Sequence, residues 1–143
     1  MNLHHFKGAH ALSLIGRVLL ALLFLASGLG KLAAPVATQG YIAAVGVPQP
    51  MLTYGAAVIV EVAFGLFLLV GYRARMAALV LAGFTVVATI LFHSNLADQN
   101  QFIHVMKNLA IIGGLLHVAA TGTRPFGSHL RMLGRGGSQA SAG

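Results

Sequence analysis

One carboxylate dominates the chemistry available to this sequence. Glu61 lies near the centre of the apolar run Leu52–Val70; it is the only glutamate in the chain, and Asp98 is the only aspartate. A charged side chain at mid-bilayer depth costs about 2.5–3.5 kcal/mol on insertion scales, so such residues face a bundle interior or a wet cavity and pair there. The surroundings of Glu61 therefore decide what its proton or its charge does.

Two lysines are candidate partners for this acid. Lys31 lies near the end of the first apolar segment, and Lys107 lies in the first turns of the last one. Both side chains reach close to Glu61, although Lys31 can instead extend to a lipid phosphate. Either Glu61 is ionised and contacts one of the two lysines, or it is neutral and hydrogen-bonded. Of the two, we expect Lys107 to be the partner, with Asn108 on the adjoining face.

Small and polar residues share helix faces with these charges. Helical spacing places Tyr54 and Gly65 on the face of the carboxylate, and Ser27 and Gly28 on the face of Lys31. Glycines allow neighbouring backbones to approach closely in a membrane bundle. We therefore expect Lys31 to point inward across a groove floored by glycine, and Gly65 to admit a neighbouring helix.

The histidines raise the question of a metal site. His93, Asp98 and His104 are close enough in sequence to share zinc or copper across a short polar loop. Their spacing matches no metal-binding motif, so we predict no metal site. We also find no pair of histidines suited to haem among His93, His104 and His117, because the last lies toward the opposite end of its helix.

Four apolar segments must position these residues. The chain has 143 residues, of which 57% are hydrophobic and 8% charged, a composition typical of small polytopic membrane proteins. We predict an all-α fold, an antiparallel bundle of four transmembrane helices. The predicted spans are Leu12–Ala34, Met51–Val70, Met76–Phe92 and Phe102–Ala120.

An uncharged linker joins the first two spans. Pro35–Pro50 is rich in Ala, Gly, Pro and Gln, and Val36–Val45 within it predicts a short interfacial or re-entrant helix. Gly46 and Pro48 end that helix. Tyr41 is expected at headgroup level, where interfacial aromatic residues lie.

Basic residues predict the orientation of the chain. By the positive-inside rule, both termini and the turn between the second and third spans are cytoplasmic. The cytoplasmic set is Lys7, Arg17, Arg73, Arg75, Arg124, Arg131 and Arg135, which leaves Lys31 and Lys107 outside. We expect Arg17 and Lys31 to have stems long enough to snorkel to an interface.

The chain divides into three parts. Residues 1–11 are expected to be a mobile N-terminal segment, residues 12–121 one membrane domain, and residues 122–143 a basic, glycine-rich, disordered tail. A cleavable signal peptide is the alternative for the first apolar segment. The apolar pattern continues to Leu32 and further spans follow, which favours a retained helix.

Composition excludes several classes of function. The chain has no cysteine, which removes disulfides, thiolate metal sites and thiol catalysis. Its net charge of +7 resides in loops and a tail, with no basic stripe interleaved with aromatic residues. Membrane orientation explains this charge better than nucleic-acid binding does, and we expect the lipid bilayer as a partner but no nucleic acid.

Five ordered motifs resemble the DoxX family of small bacterial four-helix membrane proteins. The resemblance extends from about Leu12 to Thr121, and motifs in a fixed order make it specific. They are Leu22–Leu32 (LLFLASGLGKL), Gly46–Pro50 (GVPQP), Glu61–Arg75 (EVAFGLFLLVGYRAR), Leu91–His93 (LFH) and Lys107–Leu116 (KNLAIIGGLL).

The resemblance implies a bundle in the bacterial inner membrane and a link to redox chemistry. The family is similar to the small subunit of thiosulfate:quinone oxidoreductase, and mycobacterial members associate with a superoxide dismutase and a sulfurtransferase. Related four-helix redox proteins use paired cysteines, which this chain lacks, so a thiol relay is excluded. The residues at the family's motif positions are Lys31, Glu61, Arg75, His93, Lys107 and Asn108.

We favour a membrane anchor or accessory module for soluble oxidoreductases in redox or oxidative-stress handling, because a buried ion pair is more often structural than catalytic. In this interpretation Glu61 and one lysine form a buried structural pair that fixes helix register. Whether the protein is an enzyme is left open. If it is one, it would act as a subunit of a membrane oxidoreductase complex.

The alternative is a quinone-binding redox subunit. A quinone site needs an apolar slot, donors for the carbonyl oxygens and a proton path. The candidate catalytic residues are Glu61, which passes protons, and Lys107, Lys31 and His93, which donate. The candidate cofactor-binding residues are Asn108, Tyr54, Gly28 and Gly65. A second alternative is transport of protons or a small solute past Glu61, for which four short spans must form a homo-oligomer.

Overall fold

The computed structural model describes residues 3–93 and 95–122, and these form helices joined by short connections. The helices are α1 (Leu3–Ala33), α2 (Pro35–Ala44), α3 (Pro50–Ile59), a π-helical segment (Val60–Phe64), α4 (Gly65–Val70), α5 (Ala74–Phe92) and α6 (Gln99–Thr121). The described residues contain no strand, which confirms the predicted all-α fold. The predicted tail lies outside the described residues except for Gly122.

Four stretches are long and apolar enough to cross a membrane, as predicted. The second of them combines α3, the π-helical segment and α4, which follow one another without a break. Large apolar side chains point away from the bundle along all four, as expected where the solvent is lipid. The four stretches are His10–Ala33, Pro50–Val70, Ala74–Phe92 and Gln99–Thr121.

The linker between the first two spans folds as a short helix against the bundle. Pro35 occupies the first turn of α2, where its missing N–H is no loss, and Gly46 follows the helix with a φ of 79°. Ile42 is buried, and the half-exposed ring of Tyr41 stacks on Phe92 with 5.5 Å between ring centroids. The predicted short helix is confirmed.

The last span begins earlier than predicted because an aspartate caps it. The Asp98 carboxylate accepts hydrogen bonds from the backbone N–H groups of Asn100 and Gln101, at 2.8 and 3.0 Å. Such a cap satisfies donors that the first turn otherwise leaves unpaired. The helix therefore starts at Gln99 and not at the predicted Phe102.

Small residues of α5 form the centre of the bundle. Ala77, Ala78 and Leu81 are fully buried, and they contact a core to which every span contributes. Alanine has the highest intrinsic helix propensity, and its small side chain lets neighbouring helices approach closely. The buried cluster consists of Ala21, Phe24, Leu68, Ala74, Ala77, Ala78, Leu81, Ala82, Leu115 and Val118.

The two ends of the bundle differ in their polar residues. Arg17 of α1 lies against Gly71, which ends α4, and Arg75 of α5 lies against Gly122, which ends α6. We call this the arginine end, defined by Arg17, Arg73 and Arg75. The opposite end, which we call the histidine end, is defined by Lys31, His93, Asp98 and His104.

Gly28 marks the closest approach of α1 to the π-helical segment. A Cβ at this position would lie 2.7 Å from Cγ2 of Val62 and 3.3 Å from Cβ of Glu61, too close for an unshifted side chain. Gly30, two residues later, is exposed and has nothing within 4 Å of the corresponding position. The two glycines therefore differ in packing although they share one helix.

Gly28→Ala should destabilise the protein by about 1–3 kcal/mol, because the added methyl group overpacks a contact lined by stiff side chains and backbone. Gly30→Ala is the matched control, and we expect it to be neutral or slightly stabilising because alanine favours the helix. Thermal unfolding of both purified variants, followed by circular dichroism, measures the difference. Equal behaviour of the two variants would contradict the close approach at Gly28.

Candidate functional site

Glu61 lies in the π-helical segment, where each hydrogen-bonded turn contains one residue more than in an α-helix. The residue is 4% exposed, so its carboxylate is inside the bundle and not among lipid tails. π-Helical turns within α-helices occur frequently at functional sites. The sequence pattern alone did not predict this segment, because its apolar residues fit an ordinary helix.

Lys31 is the partner of Glu61. Its Nζ donates to Oε2 of Glu61 at 2.8 Å and to Oε1 at 3.0 Å, forming an ion pair between α1 and the π-helical segment. Ser27, one turn before Lys31 on α1, donates to Oε1 at 3.1 Å and accepts from the lysine at 2.8 Å. The three side chains therefore form a closed triangle of hydrogen bonds.

Tyr54 links the second span to the end of α1 that carries Lys31. Its hydroxyl donates to the backbone carbonyl of Lys31 at 3.3 Å, which holds the end of α1 beside α3. Gly65, one turn after Glu61, lies against Leu25 of α1, where a Cβ would be 3.2 Å from Cγ of the leucine. The predicted close approach of a neighbouring helix at Gly65 is thus confirmed, as it is at Gly28.

The expectation that Lys107 pairs with Glu61 is wrong. Lys107 is exposed, and the next residue, Asn108, makes the inward contact by donating to Oγ1 of Thr89 at 2.8 Å. Successive helical residues are rotated by about 100°, so a helix that turns Asn108 toward α5 turns Lys107 away from it. The orientation of α6 thereby excludes Lys107 from the pair.

His93 belongs to a separate polar cluster at the histidine end. Its Nδ1 is 2.7 Å from Oε1 of Gln101, and its ring stacks on His104 with 4.8 Å between centroids and 7° between planes. Asp98 caps α6, as described above. The described residues contain no group of three or more side chains that could hold a metal ion.

The structure therefore divides the predicted site residues into two groups. It brings Lys31, Glu61, Tyr54 and Gly28 together, with Gly65 one turn away, and it leaves Lys107, Asn108 and His93 outside this cluster. Ser27 is the member that sequence reasoning did not propose as a site residue. Its position four residues before Lys31 was the available signal, because residues at this spacing share a helix face.

The geometry limits the chemistry of the pair. Nζ of Lys31 has three acceptors within hydrogen-bond distance, and the Glu61 carboxylate accepts three hydrogen bonds. The Lys31 side chain is 25% exposed, against 5% for Glu61. A ligand that approaches the pair therefore meets the lysine before the more deeply buried acid.

Comparisons with known proteins find one family. The DoxX family model matches residues 12–94, which include both members of the ion pair. The inner membrane protein YqjF of Escherichia coli (strain K12) is 42% identical over 109 residues, which cover 76% of this chain and 82% of that protein. The inner membrane protein YphA of the same organism is 30% identical over 116 residues, which cover 78% and 83%. No solved structure matches the chain.

Lys31→Met should lower the free energy of unfolding by about 3 kcal/mol, because it leaves a buried carboxylate without its cation. Lys107→Met removes the same charge from an exposed position, and we expect a change below about 0.5 kcal/mol. Denaturant unfolding of both variants in the same detergent measures the two values. A loss at Lys107 as large as that at Lys31 would refute the pairing seen here.

Proposed function

Because this chain belongs to the DoxX family, we propose that it is a multi-pass inner-membrane protein that anchors and assists soluble oxidoreductases. Four apolar spans and the names of two inner-membrane relatives support the compartment. The link to oxidoreductases rests on the family resemblance set out above. The protein supplies a membrane-embedded scaffold in this proposal, and its partner supplies the redox centre.

The observation that carries this proposal is the pairing of the Lys31 and Glu61 charges with each other and with Ser27. The hydrogen bonds described above give Lys31 three acceptors and the Glu61 carboxylate three donated hydrogen bonds, so the two charges satisfy each other within the protein. Burying an ion pair stabilises a protein only when such hydrogen bonds compensate the lost hydration. A pair held in this way fixes the register of α1 against the second span, which is a structural role.

The proposed orientation has the arginine end in the cytoplasm. Arg17, Arg73 and Arg75 all lie at that end, and the positive-inside rule favours cytoplasmic placement of such a cluster. Alkaline phosphatase fused after Gly122 should then be inactive, and fused in the loop at Asn95 it should be active. The reverse pattern would overturn the orientation.

A quinone-binding subunit is the second candidate, favoured by the partial exposure of Lys31. Its side chain is 25% exposed beside an almost fully buried acid. An ammonium group can donate a hydrogen bond to a quinone carbonyl oxygen, and the adjacent carboxylate can accept a proton and pass it on. In this candidate function the Lys31–Glu61 pair is the reacting site and not only a support.

The double variant Lys31→Met/Glu61→Leu separates the two candidates. Replacing a buried ion pair by apolar residues of similar volume is often neutral or stabilising. The anchor proposal therefore predicts normal membrane levels and full complementation of a deletion strain under oxidative stress, whereas Lys31→Met alone lowers the membrane level. Lys107→Met is the matched control for loss of one lysine.

The opposing result is a double variant that reaches normal membrane levels and fails to complement. It would overturn the anchor proposal and support the quinone site. Mass spectrometry of the lipids that copurify in mild detergent provides the independent readout. Quinone retained by the wild type and lost from the double variant identifies the pair as its binding site.

A further inference from the structure

Arg17 is a buried guanidinium at the arginine end. It is 1% exposed, so it does not snorkel out to an interface as its position in the sequence predicted. The side chain packs inward against Gly71, where φ is 79° and a Cβ would collide with Nη1 of the arginine. The lack of a side chain at Gly71 therefore makes room for the guanidinium at the end of the second span.

No acidic side chain neutralises Arg17. Its Nε and Nη1 atoms are buried and have no hydrogen-bond partner in the part of the chain that the structure describes. The chain has only two acidic side chains, and both are used at the histidine end. Glu61 pairs with Lys31, and Asp98 caps α6. An uncompensated buried charge is costly, and an anion such as a carboxylate or a phosphate would satisfy it.

We propose that Arg17 binds the phosphate of an anionic phospholipid. A guanidinium presents paired N–H donors that match the oxygens of a phosphate. Gly71 ends the second span, so the arginine that contacts it lies at the level of the membrane surface, where phosphates are found. The exposed Arg73 and Arg75 add positive charge at the same end. Basic pockets between transmembrane helices are known to bind anionic headgroups.

Lipid binding requires the arginine to move. Nε and Nη1 are buried, and the guanidinium lies against the turn at Gly71. Binding therefore rotates the guanidinium outward, so that Nε and Nη1, which have no hydrogen-bond partner among the described residues, reach phosphate oxygens. The bound and unbound states differ in the position of Arg17 relative to Gly71.

The test compares purified wild type, Arg17→Met and Arg73→Met in detergent micelles with added phosphatidylglycerol, phosphatidylcholine or inorganic phosphate. Native mass spectrometry counts bound lipid, and circular dichroism gives the unfolding temperature. Arg73→Met is the matched control, because it removes an exposed arginine from the same end. Loss of a charge-assisted contact should weaken phosphatidylglycerol binding by about tenfold or more in Arg17→Met, and much less in Arg73→Met.

The unfolding temperatures supply the second readout. Without anionic lipid, Arg17→Met should unfold at the same temperature as the wild type or higher, because it removes an unpaired buried charge. Phosphatidylglycerol should raise the unfolding temperature of the wild type and not that of Arg17→Met, while phosphatidylcholine raises neither.

Three results would overturn the proposal. If Arg17→Met is destabilised to the same extent with and without phosphatidylglycerol, the arginine has a partner within the chain. An equal rise of the unfolding temperature with inorganic phosphate assigns the site to a soluble anion. A bound acidic protein that is lost only from Arg17→Met assigns the site to a protein carboxylate.

Discussion

The packing of the first two spans brings two opposite charges together where neither is stable alone. An isolated ion in a bilayer interior is costly, and the cost is recovered only when the partner is close and the remaining hydrogen-bonding groups are satisfied. Lys31 and Glu61 meet this condition with contacts of 2.8 and 3.0 Å, and Ser27 completes the set. Few helix arrangements place the two charges at this distance, so the pair constrains how the first two spans pack.

The surroundings of the pair follow from this constraint. Gly28 lets α1 approach the π-helical segment closely enough for Lys31 to reach the carboxylate, and the hydroxyl of Tyr54 binds the carbonyl of Lys31 itself. An apolar side chain gains little free energy by leaving lipid tails for a neighbouring helix. Interfaces between membrane helices therefore commonly combine small residues, which allow close packing, with polar contacts such as these. The glycines and the polar groups thus serve a single contact.

Charge is distributed unequally along the bundle. Both acidic side chains are engaged toward the histidine end, one in an ion pair and one as a helix cap. The arginine end has guanidinium groups and no acid, since no further acidic side chain exists in the sequence. The sequence therefore supplies acidic side chains to one part of the bundle and none to the arginine end, where the proposed lipid phosphate would take their place.

The sequence predicted the parts of the fold that depend on local pattern. Four spans followed from hydropathy, and the helix at Pro35–Ala44 followed from proline and glycine signals at its ends. The sequence did not predict which lysine, Lys31 or Lys107, pairs with Glu61. Both side chains are long enough, and the outcome depends on how α6 is rotated about its axis. In the structure Asn108 of α6 contacts Thr89 of α5, a contact between residues distant in sequence.

Burial of Arg17 and the π-helical turn at Glu61 were also beyond sequence reasoning. An arginine one or two turns inside a span is ordinarily able to reach the interface, and only the packing of Gly71 reveals that this one turns inward. The π-helical turn has no residue pattern that distinguishes it from an α-helix in the sequence. Both features involve contacts between spans, and the periodicity of residues along a single span gives no information about such contacts.

The protonation state of Glu61 tests the central claim most directly. Infrared difference spectroscopy of the wild type against Glu61→Gln, in lipid at neutral pH, isolates the absorption of this one side chain. An ionised pair with Lys31 predicts the symmetric and antisymmetric stretches of a carboxylate. The carbonyl stretch of a protonated acid in their place would contradict the account, because Lys31 would then have no anion to pair with.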